Sequence, residues 1–451
     1  MVRQRKNHFT CQSCGFQTPG WLGRCPDCGQ WNSFIEEAPA PIIKNSVTGR
    51  TNQAQTLEGI SLDRETRLKT NINEFDRTLG DGIVPGSLVL IGGDPGIGKS
   101  TLILQMVGHL CNEGIKALYV SGEESLKQIK LRANRLTVRS PILYILTETC
   151  LENIFEQTKS IQPQLLIIDS IQTMYTDELV SAPGSVGQVR EVSARLLRWG
   201  KEYNIPVFLI GHVTKEGSIA GPKVLEHLVD AVLYLEGDQS HSFRILRAVK
   251  NRYGPTNEIG VLEMKDNGLA EVQNPSRIFI EERPQKTSGS TVFPCLEGTR
   301  PVLVEIQALV SQSVLGMPRR TAVGVDHNRI SLLVAVLSKR LGLHLGDQDI
   351  FINVAGGLKV DEPAADLGIV SAMISSFLEK PIEMDIITFG EIGLSGEVRG
   401  VNQPELRIKE AKKLGFTKCL LSRSNLETCR HITDIDLIGL ETIQELSDRL
   451  F

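Results

Sequence analysis

The chain has 451 residues, of which 41% are hydrophobic and 23% are charged, and its formal net charge is −4. This composition excludes a collagen-like, low-complexity or wholly disordered chain, and it excludes a strongly basic field over the whole protein. No apolar run approaches the ~20 residues of a membrane helix, and the length suggests roughly three domains. We therefore expect no membrane association, and any contact with nucleic acid must come from local patches. The basic opening residues lead into cysteines rather than an apolar signal segment, so we expect a cytoplasmic protein.

Two C-x-x-C pairs, ten residues apart, stand near the start of the chain. Cys11, Cys14, Cys25 and Cys28 supply four thiolates, and this spacing is typical of a tetrahedral zinc site. So short a segment buries too little apolar surface to fold unaided, so bound Zn²⁺ would supply its folding energy. Disulfides and a redox pair are disfavoured in a reducing compartment, and an iron–sulfur cluster usually has a closer run of four cysteines. We predict a structural zinc ribbon over residues 1–35.

Aromatic and basic side chains accompany these cysteines. Trp21 and Trp31 either stack on nucleobases or pack against the zinc site, and the second interpretation is favoured. Basic side chains make the ribbon locally positive, and they are Arg3, Arg5, Lys6 and Arg24. What the ribbon contacts is left open by the sequence.

A polar stretch rich in Pro, Thr, Asn and Gln follows, and we predict a linker over residues 36–58. The next region, residues 59–275, holds four short apolar runs that alternate with helical stretches: SLVLIGG, KALYV, QLLIID and PVFLIGH. This alternation predicts a parallel sheet with crossover helices. Three later runs have closer spacing and no helix between them: AVLYLEG, FRILRAVKN and EIGVLEMKDN. We predict that these three are added antiparallel strands.

Residues 93–100 read GDPGIGKS, which fits the phosphate-loop pattern G-x-x-x-x-G-K-[ST] between a buried strand and a helix. Glycines let backbone N–H groups surround phosphate oxygens, and the helix N-terminus adds positive partial charge. Lys99 would reach the terminal phosphates, and Ser100 would ligate Mg²⁺. We therefore predict an ATP and Mg²⁺ site whose binding residues include Gly93, Asp94, Pro95, Gly96, Ile97, Gly98, Lys99, Ser100 and Thr101.

Polar residues at the ends of three further strands complete the predicted nucleotide site. Asp169 ends QLLIID, where it would hold the Mg²⁺ shell. Glu123 and Glu124 follow KALYV closely, and a carboxylate there orients or deprotonates the attacking water. We favour Glu123, and the alternative is a solvated loop residue. His212 ends PVFLIGH, where it either senses the terminal phosphate or is an ordinary histidine at a strand end.

A second polar break, at residues 276–290, precedes a smaller unit over residues 291–451. Segments with a helical pattern alternate there with strands such as PVLVEIQALV and DIITFGEIGL, which predicts an α+β unit. The predicted helices are NRISLLVAVLSKRLG, PAADLGIVSAMISSFLE and PELRIKEAKKLG. The chain as a whole is predicted to be α/β, with an N-terminal zinc ribbon and a P-loop ATPase core.

The order of these motifs resembles the bacterial RadA family, also called Sms, of DNA-repair and recombination ATPases. The resemblance covers nearly the whole chain, and its most specific element is KNRYG at residues 250–254. It implies a RecA-like core that works as a hexameric ring and a DNA-dependent ATPase. Such a ring moves on single-stranded DNA and drives branch migration of recombination intermediates, with single-stranded and branched DNA and the RecA recombinase as partners. In this family the matching positions make Lys99, Glu123 and His212 catalytic or sensor residues.

The same resemblance implies that Lys250 and Arg252 reach the nucleotide of the neighbouring subunit. A physical reason supports this role, because charge placed around the terminal phosphate is the main catalyst of phosphoryl transfer. Because these cations would come from the neighbouring subunit, hydrolysis would also require that the subunits assemble. The alternative is a strand end at the surface that makes salt bridges.

DNA contacts of such a ring would come from loops that face its centre. DELVSAPGSVGQ lies beyond Asp169, and TKEGSIAGPKV lies beyond His212. Both loops are rich in small and polar residues and carry no aromatic stacking platform, which favours tracking of the DNA backbone over sequence reading. Lys215 and Lys223 offer phosphate contacts in the second loop. The alternative is an ordinary flexible connection.

The C-terminal unit resembles the proteolytic domain of Lon in NVAGGLKVDEPAADLGIVSA and TFGEIGLSGEVRGV. In that domain a nucleophilic serine follows a proline, and a lysine follows the second stretch. Here Ala364 follows Pro363, and Asn-Gln-Pro-Glu follows Val401, so covalent peptide hydrolysis has no route. We predict a degenerate protease fold reused as a scaffold. Its basic residues form either a duplex-binding surface or a solvated face, and they are Arg319, Arg320, Arg399, Arg407, Lys409, Lys412 and Lys413.

Three classes of function are compatible with these motifs: a DNA motor, an ATP-dependent peptidase of the Lon type, and a signalling ATPase similar to KaiC. The missing Ser–Lys pair counts against the peptidase. The zinc ribbon and KNRYG favour the motor over the signalling ATPase.

Overall fold

The computed structural model describes residues 8–11, 16–27, 29–37, 56, 67–212, 225–237, 243–256, 258–272, 274–281, 283, 286–313 and 318–451. The chain divides into two compact units, Met1–Glu271 and Val272–Phe451. Several predicted features lie outside the described residues, namely Cys14, Cys28, most of the linker at 36–58, and the second loop with Lys215 and Lys223. Of the helices that the structure describes, none has both the length and the apolar character required to cross a membrane.

A small antiparallel sheet forms the N-terminal ribbon within its described residues. Its strands, in the order β2-β1-β3, are β1 (His8–Cys11), β2 (Gln17–Thr18) and β3 (Phe34–Glu37). In this described part of the ribbon, the core consists of Cys11, Cys25 and Phe34, with Phe9 packed against them. Such a small core provides a weak hydrophobic driving force, which agrees with the expectation that a metal stabilises this segment.

A nine-stranded sheet forms the centre of the first unit within its described residues. Its strands are β4 (Leu88–Gly93), β5 (Ala117–Ser121), β6 (Leu143–Thr147), β7 (Leu165–Asp169), β8 (Val207–Ile210), β9 (Ala231–Glu236), β10 (Phe243–Asn251), β11 (Ile259–Lys265) and β12 (Gly268–Glu271). Their order is β12-β11-β10-β9-β4-β8-β7-β5-β6.

The strands from β9 to β6 run parallel, and β10, β11 and β12 extend the sheet antiparallel. The prediction that AVLYLEG is an added antiparallel strand is wrong for its pairing with β4. This segment is β9, which pairs parallel with β4 and antiparallel with β10. The segment at 211–230 that joins β8 to β9 is long enough for the crossover that a parallel arrangement requires.

Helices cover both faces of this sheet. They are α1 (Asn73–Thr78), α2 (Lys99–Asn112), α3 (Leu126–Arg135), α4 (Leu151–Ile161) and α5 (Val186–Tyr203). Alternate residues of β4 belong to different cores, because Val89 and Ile91 pack on the side of α2 whereas Leu88 and Leu90 pack on the side of α4 and α5. Burial of both faces explains why the parallel strands are continuous apolar runs in the sequence.

The carboxyl ends of the parallel strands meet at one edge of the sheet. Strand pairing aligns Ser121 with Asp169 and Asp169 with Ile210. Glu123 and His212 follow two of these strand ends, and β4 leads into the phosphate loop at the same edge. The topology therefore gathers residues that are far apart in the sequence at the edge where open α/β sheets bind ligands.

The second unit is a mixed α/β fold. Its strands are β13 (Ser290–Glu297), β14 (Arg300–Gln312), β15 (Arg320–Val323), β16 (Gln348–Val354), β17 (Ile386–Thr388), β18 (Glu391–Ile392), β19 (Val398–Arg399), β20 (Lys418–Ser422) and β21 (Asp436–Leu440). Its helices are α6 (Pro275–Glu281), α7 (His327–Arg340), α8 (Asp366–Leu378), α9 (Pro404–Lys413), α10 (Arg423–Cys429) and α11 (Ile443–Leu450). The main sheet has the order β15-β16-β14-β13-β17-β20-β21, and β18 pairs with β19.

The start of the second unit differs from the predicted linker at 276–290. That stretch contains most of α6, and Arg283 beyond the helix is buried. The Arg283 guanidinium donates hydrogen bonds to the hydroxyl of Ser290 (2.9 Å) and to the carbonyl of Met384 (3.2 Å). These residues belong to the second unit, which begins at Val272. Polar composition indicated a linker because a buried arginine with partners is indistinguishable in sequence from a solvated one.

Arg407 of α9 is a buried cation in the core of the second unit. Its guanidinium pairs with Glu362 at 3.0 Å and lies 5.9 and 5.8 Å from the ring centroids of Phe293 and Phe389. Because Arg407 is only 1% exposed, it belongs to neither of the two surfaces that the sequence suggested. The other cations of α9 are exposed and pair with carboxylates of the same unit, namely Lys409, Lys412 and Lys413.

We predict that Arg407→Ala strongly destabilises the second unit, because the variant leaves the Glu362 carboxylate without its guanidinium partner and removes two aromatic contacts. Breaking a buried pair by removal of one partner typically costs about 3–5 kcal/mol. Urea denaturation, followed by hydrogen exchange of peptides from β14 and α8, measures the effect. Lys409→Ala, two residues along the same helix and exposed, is the control and should change stability by less than about 0.5 kcal/mol. Equal denaturation midpoints for the two variants would contradict the structural role of Arg407.

Candidate functional site

The phosphate loop joins β4 to α2 with backbone geometry that requires glycine. Gly93 and Gly98 have φ angles of 148° and 116°, and a Cβ on Gly93 would collide with the carbonyl oxygen of Leu235 in β9. Side chains other than hydrogen are strained in this region of φ. The glycines of the motif are therefore needed both for the turn and for its close approach to the sheet.

Lys99 is buried at the first position of α2. Its ammonium group donates hydrogen bonds to the carbonyl oxygens of Gly93 (2.8 Å) and Asp94 (2.9 Å). Burial lowers the pKa of Lys99 to about 8, and the negative charges of Asp169, Asp94 and Glu123 oppose this shift. The loop thus presents a poorly solvated cation, which favours binding of an anion such as a phosphate group.

A cavity of about 260 Å³ lies at this edge of the sheet. It is lined by Gly96, Gly98, Lys99, Ser100, Thr101, Glu123, Glu124, Arg132, Arg135, Asp169 and His212. The structure therefore brings most of the predicted nucleotide residues together, from four separate segments. Gly93, Asp94, Pro95 and Ile97 belong to the same loop but do not line this cavity.

Asp169 is held in place at the end of β7. It is buried, and it accepts a hydrogen bond from the hydroxyl of Tyr119 in β5. Burial raises the pKa of Tyr119 well above its usual value, and the charge of Asp169 adds to this effect, so the phenol remains a donor. Ser100 lines the same cavity. A hydroxyl and a carboxylate are the oxygen ligands that Mg²⁺ prefers, so Ser100 and Asp169 fit the predicted metal role.

Glu123 is an ionised carboxylate next to His212. Its Oε1 lies 3.4 Å from His212 Nε2 and also accepts a hydrogen bond from the hydroxyl of Ser170. The contact with His212 is the main cause that lowers the pKa of Glu123 to about 2, and Ser170 and the charge of Lys99 lower it further. A carboxylate with such low proton affinity is better suited to orienting a water molecule than to removing its proton.

His212 links this carboxylate to the residues that follow β7. Its carbonyl oxygen accepts a hydrogen bond from the side-chain amide of Gln172 at 3.2 Å. Its Nδ1 is buried and has no hydrogen-bond partner among the described residues. The imidazole of His212 thus contacts Glu123, and the backbone carbonyl of the same residue contacts Gln172, which follows β7.

Glu124 differs from Glu123 in its partner. One oxygen of Glu124 forms an ion pair with Arg132 of α3, and the other is buried without a partner in the described part of the chain. This pairing supports the choice of Glu123 over Glu124 as the residue that acts on water. Arg132 and Arg135 line the cavity and were missed in the sequence. Ser125, directly after the two glutamates, caps the start of α3. Arg132 and Arg135 lie three residues apart on this helix and therefore share one face, and this pattern is the sequence signal that points to them.

Lys250 and Arg252 lie at the opposite edge of the sheet from this cavity. Pairing aligns Asn251 with Ala231 at the start of β9, whereas Gly93 aligns with Leu235. Four residues of strand separate the two positions, which corresponds to about 13 Å along β9. The structure therefore does not bring these two cations to the nucleotide cavity of their own chain.

Backbone and carboxylate contacts fix both cations at that edge. The Lys250 ammonium donates hydrogen bonds to the carbonyl oxygens of Glu226 (2.6 Å) and Val229 (2.9 Å), and its burial lowers its pKa. The Arg252 guanidinium is half exposed and lies 3.4 Å from the buried carboxylate of Asp230. Asp230 also accepts a hydrogen bond from the backbone N–H of Leu88 (3.1 Å), the first residue of β4.

The glycine of KNRYG packs against a turn near the start of the core. A Cβ on Gly254 would lie 2.8 Å from the Cα atom of Gly80. Arg67 donates a hydrogen bond to the carbonyl oxygen of Tyr253 at 2.7 Å, and Tyr253 N–H donates to the side chain of Asn251 at 2.9 Å. The motif is therefore a closely packed strand end in which the Arg252 side chain is left partly exposed.

The first predicted DNA loop is built around a buried glutamine. Gln188 in the first turn of α5 donates from its amide to the carbonyl oxygens of Thr176 (3.2 Å), Leu179 (3.1 Å) and Ser181 (2.9 Å). The tip of the loop remains accessible, since Val180 is 95% exposed. The loop thus has a fixed base and an open tip.

The described cysteines of the ribbon fit a metal site. Cys11 and Cys25 are 0% and 1% exposed and belong to one small core, although they are far apart in the two C-x-x-C pairs. Two thiols brought together in this way are suitable soft ligands for Zn²⁺. Cys14 and Cys28 lie outside the described residues.

Three family models match separate parts of the chain. An AAA domain matches residues 61–218, a rubredoxin metal binding domain matches residues 9–36, and the ChlI subunit of Mg-chelatase matches residues 304–425. Together with the mixed α/β structure, these matches confirm the predicted fold class of a zinc ribbon, a P-loop ATPase core and a Lon-like C-terminal domain.

Curated relatives match the chain along nearly its whole length. The DNA repair protein RadA of Bacillus subtilis (strain 168) is 51% identical over 98% of both chains. The protein of the same name from Listeria monocytogenes serovar 1/2a is 50% identical over 98% of this chain and 97% of its own, and that from Streptococcus pyogenes serotype M1 is 49% identical over the full length of both. Identity at this level, over an alignment that covers nearly the whole of each chain, means that the chain belongs to the RadA family of DNA repair proteins.

Proposed function

We propose that this protein is a DNA-dependent ATPase that works as a ring-shaped motor in the cytoplasm. In this proposal a hexamer uses ATP and Mg²⁺ to move on single-stranded DNA and to promote branch migration of recombination intermediates, together with the RecA recombinase. The observation that carries the proposal is the separation of two sets of catalytic residues between opposite edges of one sheet. The cavity with Lys99, Glu123 and Asp169 lies at the carboxyl edge, and Arg252 lies at the amino edge.

Each residue of the cavity has a distinct task in the proposed hydrolysis. Lys99 places positive charge next to the terminal phosphates, and Ser100 and Asp169 would hold Mg²⁺, which when bound neutralises phosphate charge. Glu123 orients the attacking water molecule. His212 holds Glu123 and responds to the terminal phosphate, while the remaining residues of the loop, Gly93, Asp94, Pro95, Gly96, Ile97, Gly98 and Thr101, surround the phosphates.

The position of Lys250 and Arg252 supports an active site shared by two copies. A cation about 13 Å along the strand from its own phosphate loop contributes to hydrolysis only in a neighbouring copy. Asp230 holds the Arg252 guanidinium from a buried position and also contacts the first residue of β4. Arg252 is thereby oriented, yet half exposed and available to a neighbour.

DNA would contact the loops that follow Asp169 and His212. The fixed base and exposed tip of the first loop support this role, because such a loop reaches a strand without losing its anchor on Gln188. The relatives are named DNA repair proteins, which supports DNA as the partner. In the ribbon, Cys11, Cys14, Cys25 and Cys28 would hold Zn²⁺ as a structural ion.

The alternative of a Lon-type peptidase is disfavoured by the second unit. Ala364 occupies the position of the nucleophile and is 3% exposed, in the turn Pro363–Ala365. Its carbonyl oxygen accepts a hydrogen bond from the N–H of Gly390 (2.9 Å), so even its backbone is engaged in the fold. Without a nucleophile this unit acts as a scaffold. The alternative of a signalling ATPase similar to KaiC does not account for the ribbon.

The shared active site predicts that Arg252→Ala binds ATP normally but loses DNA-stimulated hydrolysis by about 10³-fold, because the trans cation is lost. Lys99→Ala also abolishes turnover, by damaging the phosphate site. Mixtures of the two inactive variants should regain turnover, since a copy with intact Lys99 then receives Arg252 from its neighbour. Turnover measured against the mixing ratio, with single-stranded DNA present, tests this. No recovery at any ratio, or normal turnover of Arg252→Ala alone, would refute the shared site.

The role of Glu123 predicts that Glu123→Gln retains ATP affinity but lowers the turnover rate by about 10²–10⁴-fold, because an amide does not orient the water as a carboxylate does. Glu124→Gln is the matched control. It changes the ion pair with Arg132 and should affect turnover less. ATP affinity and single-turnover hydrolysis separate the two effects. If Glu124→Gln proved the more damaging variant, the assignment of Glu123 would be wrong.

The low pKa of Lys99 predicts a pH-dependent proton uptake on ATP binding. At about pH 9 part of the empty protein carries a neutral Lys99, since burial lowers its pKa to about 8, and bound phosphates favour the ammonium form. Binding should therefore take up protons at about pH 9 and take up almost none at about pH 6.5, where Lys99 is already charged. Calorimetry in buffers with different ionisation enthalpies measures this uptake. Lys99→Arg, which stays charged, should remove it; equal uptake in both proteins would contradict the assignment.

A further inference from the structure

The zinc ribbon carries an exposed aromatic surface, which consists of Trp21, Leu22, Arg24 and Trp31. Trp21 is 54% exposed, Trp31 is 68% exposed and Leu22 is 39% exposed. The sequence favoured the interpretation that the two tryptophans pack against the zinc site, and the structure leaves both of them more than half exposed. The small core of the ribbon is built from other residues, so both indoles are left facing outward.

A hairpin fixes one half of this aromatic surface. Arg24 and Trp31 are direct partners in an antiparallel bridge, which places their side chains on the same face. The Arg24 guanidinium lies 5.7 Å from the centroid of the Trp31 ring and donates a hydrogen bond to the carbonyl oxygen of Gly29 at 3.0 Å. The arginine and the indole are thus held next to each other by the backbone rather than by a flexible chain.

The second indole lies beside the first, next to the backbone of Gly23. The point at which a Cβ on Gly23 would lie is 3.7 Å from Cη2 of Trp21 and 3.9 Å from Cζ3 of Trp31. Both rings therefore border the backbone of Gly23. Two adjacent, exposed indoles beside a fixed guanidinium group are unusual on a protein surface that binds no partner.

We propose that this aromatic surface binds unstacked bases of single-stranded DNA. Planar aromatic rings and guanidinium groups are the side chains on which splayed nucleobases stack, whatever the base sequence. Charge supports a polyanionic partner, since Arg24 belongs to this surface and residues 1–37 carry four cations, Arg3, Arg5, Lys6 and Arg24, against the three carboxylates of Asp27, Glu36 and Glu37. The inference deepens the proposed function, on which it rests, because it gives the ribbon a task in holding the strand.

A division of labour follows from the sequences of the loops. DELVSAPGSVGQ and TKEGSIAGPKV contain no aromatic residue, so they are suited to contacts with phosphates and sugars. Base stacking on Trp21 and Trp31 would supply affinity that the loops lack. The ribbon would then retain the strand while the loops advance along it.

Intrinsic fluorescence tests this proposal directly, because the chain has three tryptophans and two of them lie on the aromatic surface. The third, Trp199, stacks on Phe155 at 5.9 Å, and Trp199→Phe removes its emission conservatively. In the full-length Trp199→Phe protein, oligo(dT) should quench the emission of Trp21 and Trp31. An abasic oligodeoxyribose phosphate of the same length is the control, and it should leave the emission unchanged because it offers no base to stack.

Affinity measurements complete the test. In the full-length protein, Trp21→Ala with Trp31→Ala should weaken oligo(dT) binding by roughly 10-fold or more per ring, while the zinc content remains that of the unaltered protein. Trp199→Ala, which removes one indole elsewhere in the chain, should not weaken it. Unquenched emission, equal quenching by the abasic strand, or unchanged affinity of the double variant would overturn the proposal. So would emission that responds only to added RecA recombinase, since the surface would then bind protein.

The outcomes also separate this inference from the proposed motor. DNA-stimulated ATP turnover of the double variant at saturating DNA should remain within about twofold of the unaltered protein, because the catalytic residues are intact. If the unaltered protein showed quenching by oligo(dT) but no DNA stimulation, the motor would be refuted and the base-binding surface retained. Stimulation without quenching would have the opposite meaning.

Discussion

A buried ammonium group organises the nucleotide site of this protein. Lys99 is 3% exposed, and it is tolerated there because two carbonyl oxygens of its own loop accept its hydrogen bonds and because Asp169 and Glu123 carry compensating charge. These contacts offset only part of the free energy lost when the cation is desolvated. The ammonium group therefore still attracts a phosphate group. Gly93 and Gly98 make this arrangement possible, since the loop turns back under the ammonium with φ angles that other residues rarely adopt.

The direction of the strands separates the two halves of the proposed catalytic machinery. Parallel strands place the phosphate loop, Glu123 and Asp169 at their carboxyl ends, whereas the antiparallel β10 returns the chain to the amino edge with Lys250 and Arg252. In the proposed function, a complete site therefore requires a second copy. Asp230 fixes Arg252 at the amino edge, because its buried carboxylate contacts the Arg252 guanidinium and also the backbone N–H of Leu88, the first residue of β4.

The N-terminal ribbon and the second unit differ in what stabilises them. The second unit has a large core in which even Arg407 is buried, near two aromatic rings and paired with Glu362. The ribbon has a core of a few residues and exposes its two largest side chains, Trp21 and Trp31. In the proposed function, bound Zn²⁺ supplies the stability that this small core lacks, which leaves the aromatic residues available for binding.

Features that depend on local geometry were determined by the sequence itself. The phosphate loop, the acidic pair after β5, Asp169 and the C-x-x-C pairs are recognisable because short spacings fix a turn or a ligand set. Only the tertiary structure decided the rest. Arg132 and Arg135 reach the cavity through the placement of α3, β9 lies parallel to β4, Arg407 is buried and Trp21 and Trp31 are exposed. Burial and strand direction arise from contacts between distant segments, and a local pattern of residue types does not specify which of its polar or aromatic members those contacts will cover.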